Sequence, residues 1–570
     1  MATLYAINAG GNWNAGATWS TTATKDGTRT GGVSVPTISD ACIIDDYSGS
    51  VTVDSSACVC ASLNMTGHTG TFTCASPNKL AVCGNITLAA GTTYTCTGEL
   101  TIGNSTTTST ITSAGKTWGG TLVFAGTGIK TLAAALTVTG SLTVTGACEC
   151  AGNFALTCGG YTGSAAFNRS ANVLAVVSGT VTSTAAFTGT MTLATGAIEI
   201  GNLTLGVATL SAASGTIITT VDTTLTLTAN ATITAVAGGG AGSISWKNVS
   251  TTGSPTVVWT NATYIALDLT VLSGAATFNT GTIRLGGDLA LIGSLAGTSV
   301  ITMDDGMWYA TGAAGILSNS LTFISSGTIG GSVYYQTGTL TGYAGVIATD
   351  STLNIVGACT LHVHDFPLNN VAVTGTTTVT ITEAVSMTGA FSVAGATTIT
   401  GTFPITTSGG YTDAGTGSLT LTTGTLAITG GSVSAAGGIT GLVTMANTIT
   451  LGNIKLGAAS KLTCATGAIT VTPATTLTIA SAAEVDVVQG LITWQNVSHL
   501  ASGTLTWTKP TVIAGNIAVS NGAAAVWTST NATKSVWHGG TITLTGTGTL
   551  NGSSVLTALS GGGGLSLTIT

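Results

Sequence analysis

Hydrophobic and polar residues alternate in short stretches along the whole chain. Typical runs are SLTVTG at 141–146, DTTLTLTANATITAV at 222–236 and GSLTLTTGTLAITGG at 417–431. Strict alternation predicts β-strands with one buried face, and the Gly, Asn and Ser residues that end the runs predict tight turns. No stretch combines a helical period with helix caps. The pattern therefore predicts an all-β protein built from dozens of short strands.

The alternating pattern contains an internal duplication. ISWKNVS at 244–250 returns as ITWQNVS at 492–498, and the 13-residue separation of Trp246 and Trp259 is kept by Trp494 and Trp507. Further matches, at offsets of 248 to 251 residues, are LVFAG (122–126) with VAVTG (371–375), LTVTG (136–140) with VSMTG (385–389), Gly159-Gly160-Tyr161 with Gly409-Gly410-Tyr411, and GNLTLG (201–206) with GNIKLG (452–457). These matches predict a duplication with a period of about 250 residues, in which 122–290 and 371–550 are equivalent segments.

Two all-β architectures accept such a chain, namely a string of sandwich domains or a β-solenoid. We favour a β-solenoid of the parallel β-helix kind, because in-register stacking requires only tight Gly turns and small residues that form ladders. Roughly 20–25 residues per coil would make a rod of about 110–135 Å. The expected division is an N-terminal cap or attachment module at 1–80, a first solenoid segment at 81–330 and a second at 331–570.

The composition removes several classes of function. Only 5% of the residues are Asp, Glu, Lys or Arg, against about 25% in an ordinary soluble protein. The mean hydropathy is +0.53, yet no apolar run approaches the roughly 18 residues of a spanning helix, so we expect no membrane span. There is no basic stripe, which argues against nucleic acid as a partner. The first residues also show no secretory signal pattern.

The first 80 residues have a character of their own, with two tryptophans and a group of aspartates. They resemble the opening of repetitive structural proteins of tailed phages. The matching residues are Gly11-Asn12-Trp13, Trp19-Ser20, Val35-Pro36-Thr37, Asp40, Val51-Thr52-Val53-Asp54, Cys60 and Ser62-Leu63. Bacterial surface β-solenoids have similar openings. The resemblance implies a component of a virion or surface fibre that has no catalytic activity of its own.

A solenoid end exposes unpaired strand edges that must be covered, so the same segment also fits a capping module. In that case Trp13 and Trp19 form the core of the cap, and the alternative is a role in stacking against a glycan. The central tryptophans Trp246 and Trp494 are expected at equivalent places, either inside the coil or at a contact between chains.

The 11 cysteines include two Cys-x-Cys pairs, Cys58 with Cys60 and Cys148 with Cys150. Such pairs are compatible with zinc, but alternation places both members on one face of a strand, where they are stacking positions. The duplication provides a test, since the required ligand of a metal would not be exchanged in the sister copy. The aligned pairs are Cys148 with Thr398, Cys150 with Thr400, Cys158 with Ser408 and Cys464 with Ala213. We therefore interpret the cysteines as small, buried residues that stack in ladders. Their odd number also fits synthesis of the chain in a reducing cytosol.

A His-x-His pair stands out at His362 and His364, which point the same way from a strand. This stretch looks like the pairs with which trimeric phage fibres bind a metal on their threefold axis, and it makes both histidines candidate metal ligands. The alternative is a pair of solvent-facing histidines ahead of the turn at Pro367.

The carboxylates do not form a convincing catalytic pair. Asp304 and Asp305 are adjacent and face opposite ways in a strand, while Glu484 and Asp486 share a face but have no acidic counterpart in the first copy. No Ser, His and Asp have the spacing of a triad, and no Gly-rich turn has the Lys of a phosphate loop. We therefore expect neither an enzyme nor a cofactor.

Taken together, these features favour a structural virion component, a tail fibre, tailspike or capsid-fibre-like appendage for host attachment that is made in the host cytoplasm. The alternatives are a bacterial surface adhesin or filament subunit at the cell surface, and a β-helical tailspike that degrades polysaccharide. So few ionised groups predict association between chains. We expect a homo-oligomer, specifically a trimer, with other virion proteins bound through the N-terminal module and a host-surface glycan as a further partner.

Overall fold

The computed structural model shows a β-solenoid of about 22 turns, with 61% of the residues in strands and no α-helix in the part it describes. This confirms the all-β, parallel β-helix-like fold. The structure describes residues 2–103, 106, 108–194, 196–212, 216–235, 244–304, 306–310, 315–323, 328–330, 332–342, 351–363, 367–413, 415, 417–464, 466–473, 475–487, 492–509, 511–520, 522–529, 535–538, 541–545, 547–552, 555–558 and 566–569.

The N-terminal part contains one 3₁₀ turn, Gly16–Thr18, and short strands. Its strands are Thr3–Ala6, Gly11–Asn12, Trp19–Ser20, Ala41–Ile43, Val51–Val53, Cys58–Cys60, Ser62–Asn64, Thr71–Cys74, Lys79–Val82, Ile86–Thr87, Thr93–Cys96, Glu99–Ile102, Ser109–Thr112 and Thr117–Trp118.

The first copy of the duplicated segment and the stretch that follows it continue the same pattern. Their strands are Leu122–Phe124, Lys130–Leu132, Leu136–Val144, Cys148–Ala151, Leu156–Gly163, Phe167–Val176, Gly179–Leu193, Ala197–Ala212, Thr216–Thr219, Thr224–Leu227, Ala231–Ala235, Ser245–Trp246, Asn248–Thr251, Thr256–Trp259, Thr263–Ile265, Leu269–Val271, Ala275–Asn279, Thr282–Leu285, Leu289–Leu291, Ser294–Ala296, Val300–Met303, Met307–Ala310, Ile316–Ser318, Leu321–Phe323, Thr328–Gly330, Ser332–Tyr335, Gly338–Gly342, Thr352–Ile355 and Cys359–Val363.

The second copy and the C-terminal stretch complete the described strands. These are Asn370–Val373, Thr377–Ile381, Val385–Met387, Phe391–Val393, Ala396–Thr400, Ile405–Thr407, Gly410–Asp413, Ser418–Ile428, Gly431–Met445, Thr448–Leu456, Ser460–Cys464, Ala468–Val471, Thr476–Ile479, Ala483–Val487, Thr493–Trp494, Asn496–His499, Gly503–Trp507, Thr511–Ile513, Ile517–Val519, Ala524–Ser529, Ser535–His538, Thr541–Leu544, Thr549–Gly552, Val555–Ala558 and Ser566–Ile569.

Strands of successive turns pair in parallel, so that each strand recurs one turn later on the same face. The turn that begins at Thr224–Leu227 shows the arrangement, because its three strands pair with Asn248–Thr251, Thr256–Trp259 and Thr263–Ile265 of the next turn. This turn therefore contributes one strand to each of three ladders. Inward residues alternate with outward ones, since in many strands two buried residues flank a half-buried one. The inward residues stack into apolar columns such as Leu63, Ile86, Ile111 and Leu132.

The two copies share their strand order and their buried faces. Gly179–Leu193 and Gly431–Met445 have the same length of 15 residues, and their burial agrees at every position but the eighth. Trp259 packs edge-on against Phe278 with ring centroids 5.8 Å apart, and in the second copy Trp507 packs in the same way against Trp527 at 5.7 Å. The duplication is thus a repetition of packing as well as of sequence.

Buried threonines repeat their hydrogen bonds as well. The hydroxyl of Thr223 donates to the carbonyl oxygen of Ile200 one turn below at 3.1 Å and also contacts the hydroxyl of Thr220 at 2.6 Å. In the second copy, Thr475 donates to the carbonyl oxygen of Leu451 at 3.2 Å and contacts Thr472 at 2.8 Å. These bonds tie one turn to the next at an inward corner, where a buried hydroxyl without a partner would be unfavourable.

The N-terminal module folds differently from the turns that follow. Thr3–Ala6 pairs in antiparallel with Trp19–Ser20 on one side and in parallel with Ala41–Ile43 on the other. Trp13 and Trp19 are fully buried with ring centroids 4.9 Å apart, and the indole N–H of Trp19 donates to the carbonyl oxygen of Trp13 at 2.8 Å. Both tryptophans are therefore core residues of this N-terminal part, and neither ring is available to stack on a glycan.

By its internal contacts the chain divides into two units. One consists of Met1–Gly286 with Gly297–Ser299, and the other of Gly287–Ala296 with Val300–Thr570. The three-part division at 1–80, 81–330 and 331–570 stays a prediction.

Candidate functional site

His362 lies on the outward face of the strand Cys359–Val363, and both of its ring nitrogens are engaged. Nδ1 is 2.8 Å from the hydroxyl oxygen of Thr382, and Nε2 is 3.3 Å from a carboxylate oxygen of Glu383. Thr382 also donates to the carbonyl oxygen of Leu361 at 3.2 Å. The parallel register places Thr382 and Glu383 one turn above His362, so the three side chains form an inter-turn cluster on the outside of the coil.

This geometry restricts how His362 could bind a metal. A ligand nitrogen must present its lone pair to the metal, so the metal would have to replace Thr382 at Nδ1, replace Glu383 at Nε2 or recruit the Glu383 carboxylate as a second ligand. The proposed partner His364 lies outside the described residues. Among those that are described, no three His, Cys, Asp or Glu side chains lie together where they could share a metal ion. The metal site at His362 and His364 stays a prediction.

The cysteines of the first copy are inward ladder residues. Cys148, Cys150 and Cys158 are buried, and their burial raises the pKa of Cys148 to about 11 and those of the other two to about 12. Thiols that remain protonated at neutral pH are poor nucleophiles and poor metal ligands. All the cysteines are free thiols, and the interpretation of these three as buried packing residues is confirmed.

The alignment of these cysteines to the second copy was wrong by one residue. The strands pair Val138 with Cys158 in the first copy and Met387 with Thr407 in the second, so Thr407 rather than Ser408 is the inward counterpart. By the same faces, Cys148 and Cys150 correspond to Thr397 and Ile399, whereas Thr398 and Thr400 point outward. Ser408 is an extra residue of the second copy, and a one-residue slip exchanges the two faces of a strand.

The same correction applies to Cys464. It is paired with Met445, as Ala212 is paired with Leu193, so its counterpart is Ala212. Ala213 lies outside the part of the chain that the structure describes. The conclusion that the sister positions lack cysteine remains valid at all four sites.

One inward column of the first copy carries cations that the sequence analysis overlooked. Lys130, Cys150 and Arg169 follow one another on consecutive turns, and all three are buried. The counterparts in the second copy are Val379, Ile399 and Leu421, which are all aliphatic. Alternation alone predicts that Lys130 faces inward, because it lies two residues before the inward Leu132 in the same strand.

Main-chain carbonyl groups solvate these buried cations. The ammonium group of Lys130 donates to the carbonyl oxygen of Gly128 at 2.7 Å, and burial lowers its pKa. The guanidinium group of Arg169 donates to the carbonyl oxygen of Cys150 at 2.8 Å and of Gly152 at 3.3 Å, and it also donates to that of Phe154. Arg169 therefore fixes the loop that follows the strand Cys148–Ala151.

A buried ion pair stabilises the N-terminal module. Arg29 donates through both terminal nitrogens to the carboxylate of Asp45, at 2.7 and 2.9 Å, and lies between the rings of Tyr5 and Tyr47. Burial raises the pKa of Asp45, but the hydrogen bonds from Arg29 and Ser48 outweigh it, so the pKa is lowered overall. Arg29 is 3% exposed, so this module, like the first copy, contains a buried charge.

The acidic residues considered for catalysis have structural partners. Glu484 and Asp486 do share an outward face, but Glu484 pairs with Lys461 at 2.8 Å one turn below, and Asp486 accepts a hydrogen bond from Thr508. Asp304 lies at the end of the strand Val300–Met303, and Asp305 falls outside the described residues. Glu484 therefore contacts a cation, and Asp486 a hydroxyl group, on a neighbouring turn.

No family model, curated protein or solved structure matches this chain. Within the described ranges there is no helix with the length and apolar character needed to cross a membrane.

Proposed function

We propose that the protein is a structural, fibre- or spike-like component whose function is carried by its stacked coil. The observation that supports this most strongly is the repetition of strands, buried faces and inter-turn hydrogen bonds in the second copy. Repetition of packing extends a solenoid without requiring a new design for each turn. Such an extension suits a spacer or fibre better than an enzyme with a single site.

The more specific proposal is a virion component of a tailed phage that takes part in host attachment. It rests on the resemblance of the first 80 residues, whose matched Trp13 and Trp19 form the core of the N-terminal module. In this proposal the module attaches the chain to other virion proteins, the chain forms a homotrimer, and a host-surface glycan is a further partner. A bacterial surface adhesin and a polysaccharide-degrading tailspike are the competing proposals.

Purified particles test the assignment. Mass spectrometry of gradient-purified phage from the producing strain should detect the protein at a copy number in a fixed ratio to the major capsid protein. Immunogold labelling should place it on an appendage. Detection in washed cell envelopes of an uninfected strain, with none in particles, would favour the adhesin instead, and release of oligosaccharides from host polysaccharide would favour the tailspike.

The state of association is measured separately. Mass photometry and sedimentation velocity of the recombinant chain at micromolar concentration should give three times the chain mass. A monomer at every concentration would contradict the proposed trimer without affecting the detection of the protein in particles.

A further inference from the structure

Each copy presents one exposed phenylalanine on a loop at the same corner of the coil. Phe154 follows the strand Cys148–Ala151 and is 43% exposed, and Phe403 follows Ala396–Thr400 and is 41% exposed. Both loops begin with a glycine of positive φ, Gly152 at 96° and Gly401 at 120°, a conformation that favours glycine. We call residues 152–155 and 401–404 the phenylalanine loops.

Phe154 and Phe403 occupy equivalent positions, and both carry an exposed ring. Two other exposed hydrophobic residues have a small or polar residue at the sister position. Val207, which is 61% exposed, corresponds to Ala458, and Leu500, which is 49% exposed, corresponds to Thr252. A single exposed apolar side chain is common on a protein surface, so it is the presence of the same exposed ring in both copies that indicates a use.

The two loops are held by different means. In the first copy, Arg169 donates to the carbonyl oxygens of Gly152 and Phe154. In the second copy the place of this arginine is taken by Leu421. There the hydroxyl of Thr423 donates to the carbonyl oxygen of Gly401 at 3.0 Å.

The other end of each loop is fixed in a common way. The carbonyl oxygen of Ala155 accepts from the N–H of Leu136 at 3.0 Å, and that of Pro404 accepts from Val385 at 3.0 Å. The proline ring further restricts the second loop. A fixed backbone lowers the entropy lost when an exposed ring is buried in a contact.

We propose that the phenylalanine loops are contact points between copies of this chain, each ring packing against a neighbouring chain in a parallel homo-oligomer. The surroundings of Phe154 suit such a contact, because the adjoining corner one turn below carries Ala133, Ala134 and Ala135 and no ionised group. The adjoining corner of Phe403 carries Glu383, whose charge faces His362.

The chemistry of the partner follows from the repetition. One exposed ring in each duplicated segment matches a partner that offers one receiving surface for each segment, and a second molecule of this chain carries both segments. Aromatic rings are the side chains that contribute most at the centre of such interfaces. The inference rests on the homo-oligomeric part of the proposed function and specifies the surface that forms it.

The test compares the wild type with Phe154→Ala, Phe403→Ala and the double variant by mass photometry across a dilution series. We expect each single variant to weaken association on the order of 10-fold and the double variant more than either. Val207→Ala is the matched control, because it truncates a more exposed apolar side chain that has no repeated counterpart. Far-UV circular dichroism and the melting temperature establish that the variants are folded.

A second measurement does not depend on truncation. A photo-reactive phenylalanine analogue at position 154 or 403 should cross-link chain to chain in the assembled wild-type background, with the cross-linked peptides mapped by mass spectrometry. An oligomer whose association is unchanged in the double variant, or in which both positions cross-link only within a chain, overturns the inference while leaving the oligomer itself intact. A wild-type monomer overturns both the inference and the proposed trimer.

Discussion

His499 should make the second copy sensitive to mild acid. The residue lies at the end of the strand Asn496–His499 with its side chain pointing inward and fully buried. It is stacked between Ile479 and Val519 of the neighbouring turns, and its ring centroid is 6.1 Å from that of Trp527. Burial in this apolar column lowers its pKa to about 4, and the main chain at Ala501 opposes the shift without cancelling it.

The direction and size of the effect follow from the two pKa values of His499. In the unfolded chain a histidine titrates near 6.5, so between pH 6.5 and about 4 the open state binds a proton that the folded state does not. The free energy of local unfolding is therefore at its full value above pH 6.5 and falls as the pH is lowered toward 4. One pKa unit corresponds to about 1.4 kcal/mol, so the shift corresponds to a loss of about 3 kcal/mol.

The sister copy supplies the control variant. The counterpart of His499 is Thr251, which occupies the same inward position and is also buried. His499→Thr should leave a pH-independent packing loss from the smaller side chain but remove the dependence on pH. Because the stability of a solenoid is a sum over turns and their neighbours, the effect should be confined to the turns around His499.

Hydrogen exchange followed by mass spectrometry measures this local opening. Peptides that cover 496–499 should lose protection between pH 6.5 and 4 in the wild type, after correction for the intrinsic exchange rate, and keep it in His499→Thr. Peptides that cover 248–251 should show little change in either protein. Equal pH dependence of the 496–499 peptides in the wild type and the variant would refute the reasoning, as would an NMR titration that places the pKa of His499 near 6.5.

Three further results are expected. Replacing Cys148 and Cys158 by threonine, the residue at the matching inward positions of the second copy, should lower the melting temperature by a few degrees at most and leave the purified protein without stoichiometric zinc by elemental analysis. Asp45→Asn should destabilise the N-terminal module by about 3 kcal/mol in hydrogen exchange, since it leaves Arg29 buried without a counter-charge. In the wild type the contribution of Asp45 is lost only as the pH falls below about 4, because its pKa is lowered in the folded state. Thr475→Val should cost about 1–2 kcal/mol in the same assay by removing the bond to the turn below, and an unaltered exchange rate would contradict that role.

Much of the fold could be predicted from the sequence, because successive turns of a solenoid repeat the same alternation of inward and outward residues. Alternation predicted the inward faces, glycine and asparagine predicted the corners, and the paired tryptophans at a 13-residue separation identified the two copies. Trp246 and Trp494 both lie inside the coil, which decides between the two environments expected for them. These features are local, and a parallel ladder preserves them from turn to turn.

Register was harder to predict than strand content. The segment LTCGGY of the first copy and ITTSGGY of the second differ by one residue, and both alignments on either side of the insertion match well in sequence. Only the pairing of Val138 with Cys158 and of Met387 with Thr407 shows on which side of the glycines the extra residue lies. A Thr- and Gly-rich strand gives little contrast between its two faces, so its sequence specifies the register weakly.

The buried charges were missed for a different reason. A chain in which only 5% of the residues are ionised invites the assumption that those few face solvent. Arg29 and Arg169 instead lie inside, where an aspartate or main-chain carbonyl oxygens solvate them. Such partners come from other turns, so no local window of sequence contains both members of the contact.

The column of Lys130, Cys150 and Arg169 shows how a repeated coil diverges without losing its fold. The ladder hydrogen bonds belong to the main chain and remain the same whether the column is polar or, as in Val379, Ile399 and Leu421, aliphatic. The residues of an inward column must change together, because a buried cation is tolerated only where carbonyl oxygens lie close enough to accept its hydrogen bonds. Arg169 meets this condition by bonding the loop that carries Phe154. The interior of the first copy is thereby linked to its surface, while the second copy holds the matching ring with Thr423 and Pro404 and leaves its interior apolar.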